Sequence, residues 1–259
     1  MPYLLDQKQK IFFTKKGHGP PPALLLIHGA GGCHLDWPLE IQRLDSTIVY
    51  AIDLPGHGRS EGSGRNSIAE YAIDVIQLID TLSLKQVVVA GYSMGGAVAL
   101  EIGLRRIQGV IGLVLISTGA TLPVGESILN LISTDYPKAT DLIVKLSWSR
   151  DAPELVTARA KERLLETDQR TTFRDFSACN TFNVREEIAS IEQPTLVISG
   201  SADKMAPIQY GRELADLLPN ARLVEIEGGP HMVLLEKPTT VAAVIADFLA
   251  ELRWKEAKG

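Results

Sequence analysis

Three side chains in this sequence have the types and the chain order that acyl-transfer chemistry requires: Ser93, Asp203 and His231. A serine hydroxyl becomes an effective nucleophile only when a base takes its proton, and a histidine does this best when an acid holds its ring in the correct tautomer. The order serine, acid, histidine is expected when the serine follows a central strand of a parallel sheet. The three residues therefore predict a nucleophile, an orienting acid and a general base.

Ser93 lies at the centre of the pattern G-x-S-x-G, in Gly91-Tyr92-Ser93-Met94-Gly95. A β-branched apolar run, residues 87–90, precedes the pattern, and small helix-tolerant residues, 96–101, follow it. This context predicts a strand, a sharp turn and a helix, with the serine hydroxyl exposed at the turn and glycines that let the turn close. Such a turn stores about 1–3 kcal/mol of backbone strain, which favours a catalytic role for the serine.

The candidate acid and base each follow a short apolar run that is typical of a buried strand. Residues 195–199 precede Asp203, and residues 223–226 precede His231. In open parallel sheets, sites lie beyond the carboxyl ends of the strands. Taken alone, Asp203 could instead cap a helix that starts just after it, and His231 could be an ordinary loop histidine. Their joint placement with Ser93 favours the catalytic interpretation.

A glycine-rich turn, His28-Gly29-Ala30-Gly31-Gly32, directly follows the apolar run 23–27. Such a turn exposes backbone N–H groups that can stabilise a developing oxyanion. We therefore predict an oxyanion hole formed by the N–H groups of Ala30 and of Met94, the residue after the serine. A phosphate-binding loop is the alternative, but the spacing matches neither G-x-G-x-x-G nor the P-loop with its lysine.

The other histidines predict neither a metal site nor a cofactor. His57 lies in the turn 53–60 and precedes the nucleophile in the chain, so we expect it to bond to the backbone rather than act as the base. His28 is expected to brace the oxyanion turn. His18 and His34 show no spacing to Cys, Asp or Glu that is typical of metal ligands.

Short apolar runs alternate with helical patterns at both ends of the chain, which predicts a three-layer α/β fold. The runs have few polar interruptions, and this indicates a mostly parallel sheet that is buried on both faces, with helices on both sides. Residues 11–14 are predicted as an edge strand. Apolar stripes at helical spacing predict helices over residues 67–82 and 239–252.

Residues 121–188 contain no strand-like run and are rich in charged residues and helix formers. Because compact domains seldom leave so long a stretch without structure, we predict a helical cap inserted into a core domain of residues 1–120 and 189–259. The cap would close over the nucleophile. We expect the substrate pocket to be lined by Trp37, Trp148 and Met232.

The composition is that of a globular protein with a mild acidic balance. The 259 residues carry a formal net charge of −5, and 45% of them are hydrophobic and 22% charged. This balance argues against nucleic acid as a partner, and no apolar run reaches the roughly 18 residues that cross a bilayer. The first residues lack the apolar core of a signal peptide, and two cysteines make no disulfide framework. We expect a soluble cytoplasmic protein without a membrane partner, and the sequence leaves a homo-oligomer open.

Taken together, these motifs resemble those of the α/β-hydrolase fold superfamily. The resemblance is carried by the His28 turn, residues 53–60, residues 91–96, the Asp203 loop and residues 229–232. The chain is most similar to small cytosolic carboxylesterases and enol-lactonases, while superfamily members with an aspartate nucleophile are excluded by the serine. The resemblance implies that a small-molecule ester or lactone is hydrolysed through an acyl-enzyme, without cofactor or metal.

Two other functions stay open at this point. C–C bond hydrolysis, or a lyase reaction of the menaquinone-pathway type, would use the same triad but needs cations in the pocket to bind substrate carboxylates. A non-catalytic ligand receptor on a hydrolase scaffold is the other alternative, although the complete set of catalytic residue types argues against it. The cap candidates for carboxylate contacts are Lys138, Lys145, Arg150, Arg159, Lys161, Arg163, Arg170 and Arg174.

Overall fold

A computed structural model describes residues 3–6 and 9–256 of the chain, with side chains from Lys10 to Trp254. Its strands are β1 (Tyr3–Asp6), β2 (Gln9–Lys16), β3 (Ala23–Ile27), β4 (Val49–Ile52), β5 (Val87–Tyr92), β6 (Val110–Ile116), β7 (Thr195–Gly200) and β8 (Ala221–Ile226). The described residues form one eight-stranded sheet in the order β1-β2-β4-β3-β5-β6-β7-β8. From β4 to β8 every neighbouring pair is parallel, whereas β1, β2 and β4 pair antiparallel. The prediction of a mostly parallel sheet is confirmed.

The two ends of the sheet differ from the sequence-based prediction. Residues 11–14 lie within β2, which pairs with β1 on one side and β4 on the other, so the prediction of an edge strand there is wrong. The opposite edge is β8, whose residues are mostly half-buried or exposed, whereas β3 and β5 are buried throughout. An edge strand has one neighbour instead of two, and its apolar residues therefore keep more contact with solvent.

Helices cover both faces of the sheet, as the three-layer prediction requires. These helices are α1 (Leu39–Gln42), α2 (Ile68–Thr81), α3 (Met94–Leu104), α8 (Ile208–Leu217), α9 (Val233–Glu236) and α10 (Pro238–Glu256). The helices α2, α3 and α8 pack in one core cluster, and α1, α9 and α10 pack in the other. Among the described residues, no helix is both long enough and apolar enough to cross a membrane.

Between β6 and β7 the chain forms a group of helices over the carboxyl ends of the strands: α4 (Glu126–Thr134), α5 (Tyr136–Ser147), α6 (Glu154–Glu166) and α7 (Gln169–Thr181). A bridge between Thr121 and Asn183 joins the two ends of this segment. Its own small core includes Ile132, Tyr136 and Phe176. None of the side chains of α6 is buried, and the helix contacts α5. These helices occupy the segment that the sequence predicts as a cap. That the cap is a separate domain stays a prediction.

Candidate active site

Ser93 stands between the last residue of β5 and the first residue of α3, with φ 52° and ψ −118°. A residue with a Cβ seldom adopts this conformation, so the turn is strained. The flanking glycines are required because neighbouring backbone atoms lie too close to them to leave room for a Cβ. A Cβ on Gly91 would lie 2.0 Å from the carbonyl oxygen of Gly95, and a Cβ on Gly95 would lie 2.2 Å from that of Ile27. The local sequence therefore specifies the sharp turn that presents the serine.

Replacing Gly95 with alanine is expected to destabilise the fold by more than about 3 kcal/mol, or to prevent folding. The added methyl group would meet the backbone of Ile27, the last residue of β3, and of His28, which cannot move without disturbing the sheet. Urea unfolding measures the loss. Gly125→Ala is the matched control, because a Cβ there meets only Ser127 Oγ at 3.8 Å. Equal stability of the two variants would contradict the packing argument.

The structure brings the three predicted residues together in one hydrogen-bonded chain. Ser93 Oγ lies 3.0 Å from His231 Nε2, and His231 Nδ1 lies 2.8 Å from Asp203 Oδ2. The other carboxylate oxygen of Asp203 accepts hydrogen bonds from the backbone N–H groups of Met205 and Ala206, both at 2.8 Å. Asp203 therefore lies in a turn rather than capping α8, and its buried carboxylate is fixed relative to the histidine ring.

The loops that carry the acid and the histidine support each other. The N–H of Ala202 donates to the carbonyl of Gly229 at 2.9 Å, which ties the loop after β7 to the loop after β8. The ring of Tyr92 lies 5.2 Å from the His231 ring, and its hydroxyl contacts Met232 Sδ at 3.3 Å. The imidazole is consequently held between the end of β5 and its own loop, in reach of the serine.

The predicted oxyanion turn is oriented from the core. His28 Nδ1 lies 2.8 Å from the carbonyl oxygen of Gly29, which also accepts from Gly32 N–H at 3.1 Å. A peptide's C=O and N–H point in opposite directions, so fixing the Gly29 carbonyl also fixes the N–H of Ala30. Among the described residues, neither this N–H nor that of Met94 has a hydrogen-bond acceptor. Both are free to donate to a bound group.

His28 is expected to make stability fall as the pH is lowered from about 6.5 to about 4. Burial, and then the neighbouring charge on His57, lower its pKa to about 4. The unfolded chain then binds more protons in this pH window, so folding weakens by up to about 3 kcal/mol. Urea unfolding between pH 7 and pH 4 measures this slope. In His28→Gln the loss of stability toward pH 4 should be smaller than in the wild type, and in the exposed control His18→Gln it should be unchanged. An equal loss in His28→Gln and the wild type would contradict the prediction.

A cavity of about 240 Å³ opens above Ser93 and His231. Trp148 and Met232 line it, at the positions expected for them. Trp37 does not: its side chain is 2% exposed and packs in the core cluster beside α1 and α10, which corrects the prediction for this residue. The remaining lining from the segment between β6 and β7 is largely apolar and includes Leu122, Val124, Ile128, Ile143, Leu146, Leu164 and Phe176.

Charged groups in the cavity are few. Arg163 lines it, but its guanidinium donates to Asp36 Oδ1 at 3.1 Å and to the Leu35 carbonyl at 3.0 Å. Lys204 lines it as well and is exposed. The other predicted cap cations do not line the cavity as the described residues define it: Lys138, Lys145, Arg150, Arg159, Lys161, Arg170 and Arg174.

In a buried cluster of Cys33, His34 and Asp53, a thiol sulfur, a ring nitrogen and a carboxylate oxygen lie within 4.8 Å of one another, and each is an atom that can bind a metal ion. Asp53 already accepts hydrogen bonds from the backbone N–H of His34 at 2.6 Å, from its Nδ1 at 2.8 Å, and from Arg59 N–H at 2.9 Å. Burial raises the pKa of the Cys33 thiol to about 12, so the thiolate that binds metals is disfavoured. We interpret the cluster as a support for the loops after β3 and β4.

Sequence reasoning did not identify Asp175 of α7. Its carboxylate is fully buried and lies 2.7 Å from His57 Nε2 and 2.5 Å from the hydroxyl of Tyr71. The other ring nitrogen of His57 lies 3.0 Å from the Pro55 carbonyl, which agrees with the predicted bond to the backbone. Asp175 is 118 residues from His57 in the chain, and no local pattern signals a contact of that range.

Comparison with known proteins assigns the chain to a family. Residues 24–244 match the family model described as "Alpha/beta hydrolase family". The chain is 30% identical over 248 residues to "Putative carbamate hydrolase RutD" of Pseudomonas syringae pv. syringae (strain B728a), with 90% of this chain and 95% of that protein covered. The protein belongs to the alpha/beta hydrolase family.

Solved structures agree with this assignment. A structure described as a thermophilic esterase is 30% identical and superposes with a TM-score of 0.86, covering 96% of this chain and 97% of its own. The enol-lactonase from Burkholderia xenovorans LB400 is 26% identical, with a TM-score of 0.89 and coverage of 96% and 100%. These relatives are described as a putative carbamate hydrolase, an esterase and an enol-lactonase, and they support a hydrolase activity for this member of the family.

Proposed function

We propose that this protein is a carboxylesterase-type serine hydrolase that cleaves a small, uncharged ester or lactone. One observation carries the proposal: the hydrogen-bonded chain from Ser93 through His231 to Asp203 lies at the base of a mostly apolar cavity. The esterase and enol-lactonase among the similar structures support the choice of ester chemistry.

In the proposed mechanism, Ser93 Oγ attacks the ester carbonyl while His231 Nε2 takes its proton. Asp203 keeps the other ring proton on Nδ1, so that Nε2 is the basic atom, and stabilises the imidazolium that forms. The N–H groups of Ala30 and Met94 donate to the tetrahedral oxyanion. His231 then protonates the leaving alcohol, and a water molecule repeats the sequence on the acyl-enzyme to release the acid.

The charges around the cavity favour an uncharged acyl group. A substrate carboxylate gains most from a cation whose donors are free to form paired hydrogen bonds. Arg163 is already bonded to Asp36, and Lys204 is exposed to water, which weakens any ion pair it makes. C–C bond hydrolysis and lyase chemistry act on carboxylate substrates, and these charges support them less. We assign Trp148 and Met232 to the walls of the acyl pocket.

A panel of substrates tests the proposal. It contains p-nitrophenyl esters from acetate to decanoate, a neutral lactone, an ester with a terminal carboxylate and an aryl carbamate. We expect turnover of the neutral esters with an optimum below decanoate, because the cavity is limited, and slower turnover of the carboxylate ester. Turnover of the carbamate alone would favour the activity that the RutD relative is named for. Binding of all compounds without turnover would favour a receptor.

A further inference from the structure

Two side chains from the segment between β6 and β7 hold one residue of the oxyanion turn. Asp175 Oδ2 accepts a hydrogen bond from the N–H of Gly31 at 2.8 Å, and Thr167 Oγ1 donates to the carbonyl of Gly31 at 2.8 Å. Both side chains are buried, and neither lines the cavity. Gly31 has φ +66°, a conformation that glycine adopts without strain. The turn after β3 is therefore fixed from α7 and from Thr167, the residue that follows α6.

The Asp175 carboxylate is itself anchored in the core domain. His57 donates one ring N–H to the Pro55 carbonyl, which can only accept, and directs the other nitrogen at Asp175 Oδ2 at 2.7 Å. Burial lowers the pKa of His57, but the Asp175 charge and hydrogen bond outweigh this, and the pKa is raised above its usual value. Both ring nitrogens of His57 face oxygen acceptors, and Tyr71 donates to the other carboxylate oxygen of Asp175, Oδ1. Three donors from three elements leave Asp175 little freedom to move.

The hydrogen bonds to Gly31 also restrict the backbone of Ala30, the residue before it. The peptide on one side of Ala30 is fixed by the core, through His28 and the Gly29 carbonyl. The peptide on its other side is the one whose N–H Asp175 accepts. With both peptide planes fixed, the φ and ψ of Ala30 have no remaining freedom, and the direction of its N–H is set.

We propose that Asp175 and Thr167 are positioning residues, through which the segment between β6 and β7 assembles the oxyanion hole by holding Gly31. They contact neither substrate nor the reacting atoms, and they act only through the direction of the Ala30 N–H. The inference rests on the proposed function, in which that N–H stabilises the oxyanion. The Ala30 N–H binds the tetrahedral oxyanion that forms from an ester or lactone. Moving this N–H therefore destabilises the transition state and does not weaken substrate binding.

The test uses Asp175→Asn and Thr167→Val in the full chain. Asparagine offers one acceptor for three donors, and valine keeps the shape of threonine without its hydroxyl. We expect kcat to fall about 10- to 100-fold with KM changed less than about threefold, because a displacement of even 1 Å costs this much in an oxyanion site. Affinity for a trifluoromethyl ketone, which forms an oxyanion on Ser93, should fall by the same factor as kcat/KM.

Arg174→Gln is the matched control, since Arg174 is also on α7 and bonds to the Gly64 carbonyl without contacting the oxyanion turn. It should keep the wild-type kcat and ketone affinity. Unchanged kcat in folded Asp175→Asn and Thr167→Val, or a rise in KM alone, would overturn the inference. If Asp175→Asn does not fold, Thr167→Val decides the result. Wild-type protein without Ser93-dependent hydrolysis would instead refute the proposed function, and the inference with it.

Discussion

Replacing Ser93 with alanine or glycine is expected to lower kcat by about 10⁴-fold or more, and the two variants should differ in stability. Both lack the hydroxyl that lies 3.0 Å from His231 Nε2. Alanine keeps a Cβ at φ 52° and ψ −118°, whereas glycine favours this conformation, which is that of the first central residue of a type II′ turn. Ser93→Gly should therefore be more stable than Ser93→Ala by about 1 kcal/mol.

Ester turnover and urea unfolding, measured on the same preparations, test both parts of this prediction. Ser133→Ala changes an exposed serine of α4 and serves as a control that should keep wild-type turnover. Residual turnover above about 1% of wild type in either Ser93 variant would contradict the assignment of the nucleophile. Equal stability of the glycine and alanine variants would contradict the strain argument while leaving the nucleophile in place.

Replacing Asp203 with asparagine is expected to lower kcat by about 10³- to 10⁴-fold with little loss of stability. An asparagine carbonyl can keep the two backbone hydrogen bonds that Oδ1 now accepts from Met205 and Ala206. Its amide then faces His231 Nδ1 as a donor and favours the ring tautomer with the proton on Nε2. That tautomer cannot take the proton of Ser93, so the acyl-transfer step fails although the fold is intact.

Steady-state kinetics of the Asp203→Asn variant measure this loss. Asp74→Asn is the control, because Asp74, on α2, bonds to Arg65 and takes no part in the proposed mechanism. A loss of less than about tenfold in Asp203→Asn would mean that this acid does not set the histidine tautomer. Loss of folding would point to a structural role through the Met205 and Ala206 contacts instead.

The nucleophile turn could be predicted because its signals are local in the sequence. The run 87–90 lies within β5, the small residues after Ser93 lie within α3, and the predicted helix over 67–82 is α2. A strand, a tight turn and a helix need particular residues within about ten positions, and glycine is the residue that a close backbone approach requires. The chain order of acid and base follows from the same sheet topology.

Contacts between distant segments could not be predicted in this way. A hydrophobic pattern indicates that a residue is buried but not what it packs against, which is why the sequence predicts Trp37 at the pocket while the structure places it in the core. Asp175 meets His57 and Gly31 only because α7 docks on the loops after β3 and β4. Its sequence neighbourhood is an ordinary amphipathic helix, in which a buried acid has no local explanation.

The residues that line the substrate pocket could not be predicted from the sequence either. Among the apolar residues of the segment between β6 and β7, Ile128, Leu146, Trp148 and Phe176 line the cavity, whereas Phe173, three residues before Phe176 on α7, is exposed. Two residues three positions apart on α7 differ in direction by only about 60°, so the sequence pattern does not separate them, and the docking of the helix decides which one faces the site. The cap boundaries at residues 121 and 188 stay a prediction.

The measurement that tests the central claim most directly is a titration with a fluorophosphonate, which phosphonylates an activated serine. Intact-protein and peptide mass spectrometry give the fraction of Ser93 that is labelled, and ester hydrolysis is measured on each sample. We predict one label per chain, located on Ser93, and activity that falls in proportion to it, with no labelling of Ser93→Ala. Hydrolysis that persists when Ser93 is fully labelled, or a label on another residue, would contradict the account.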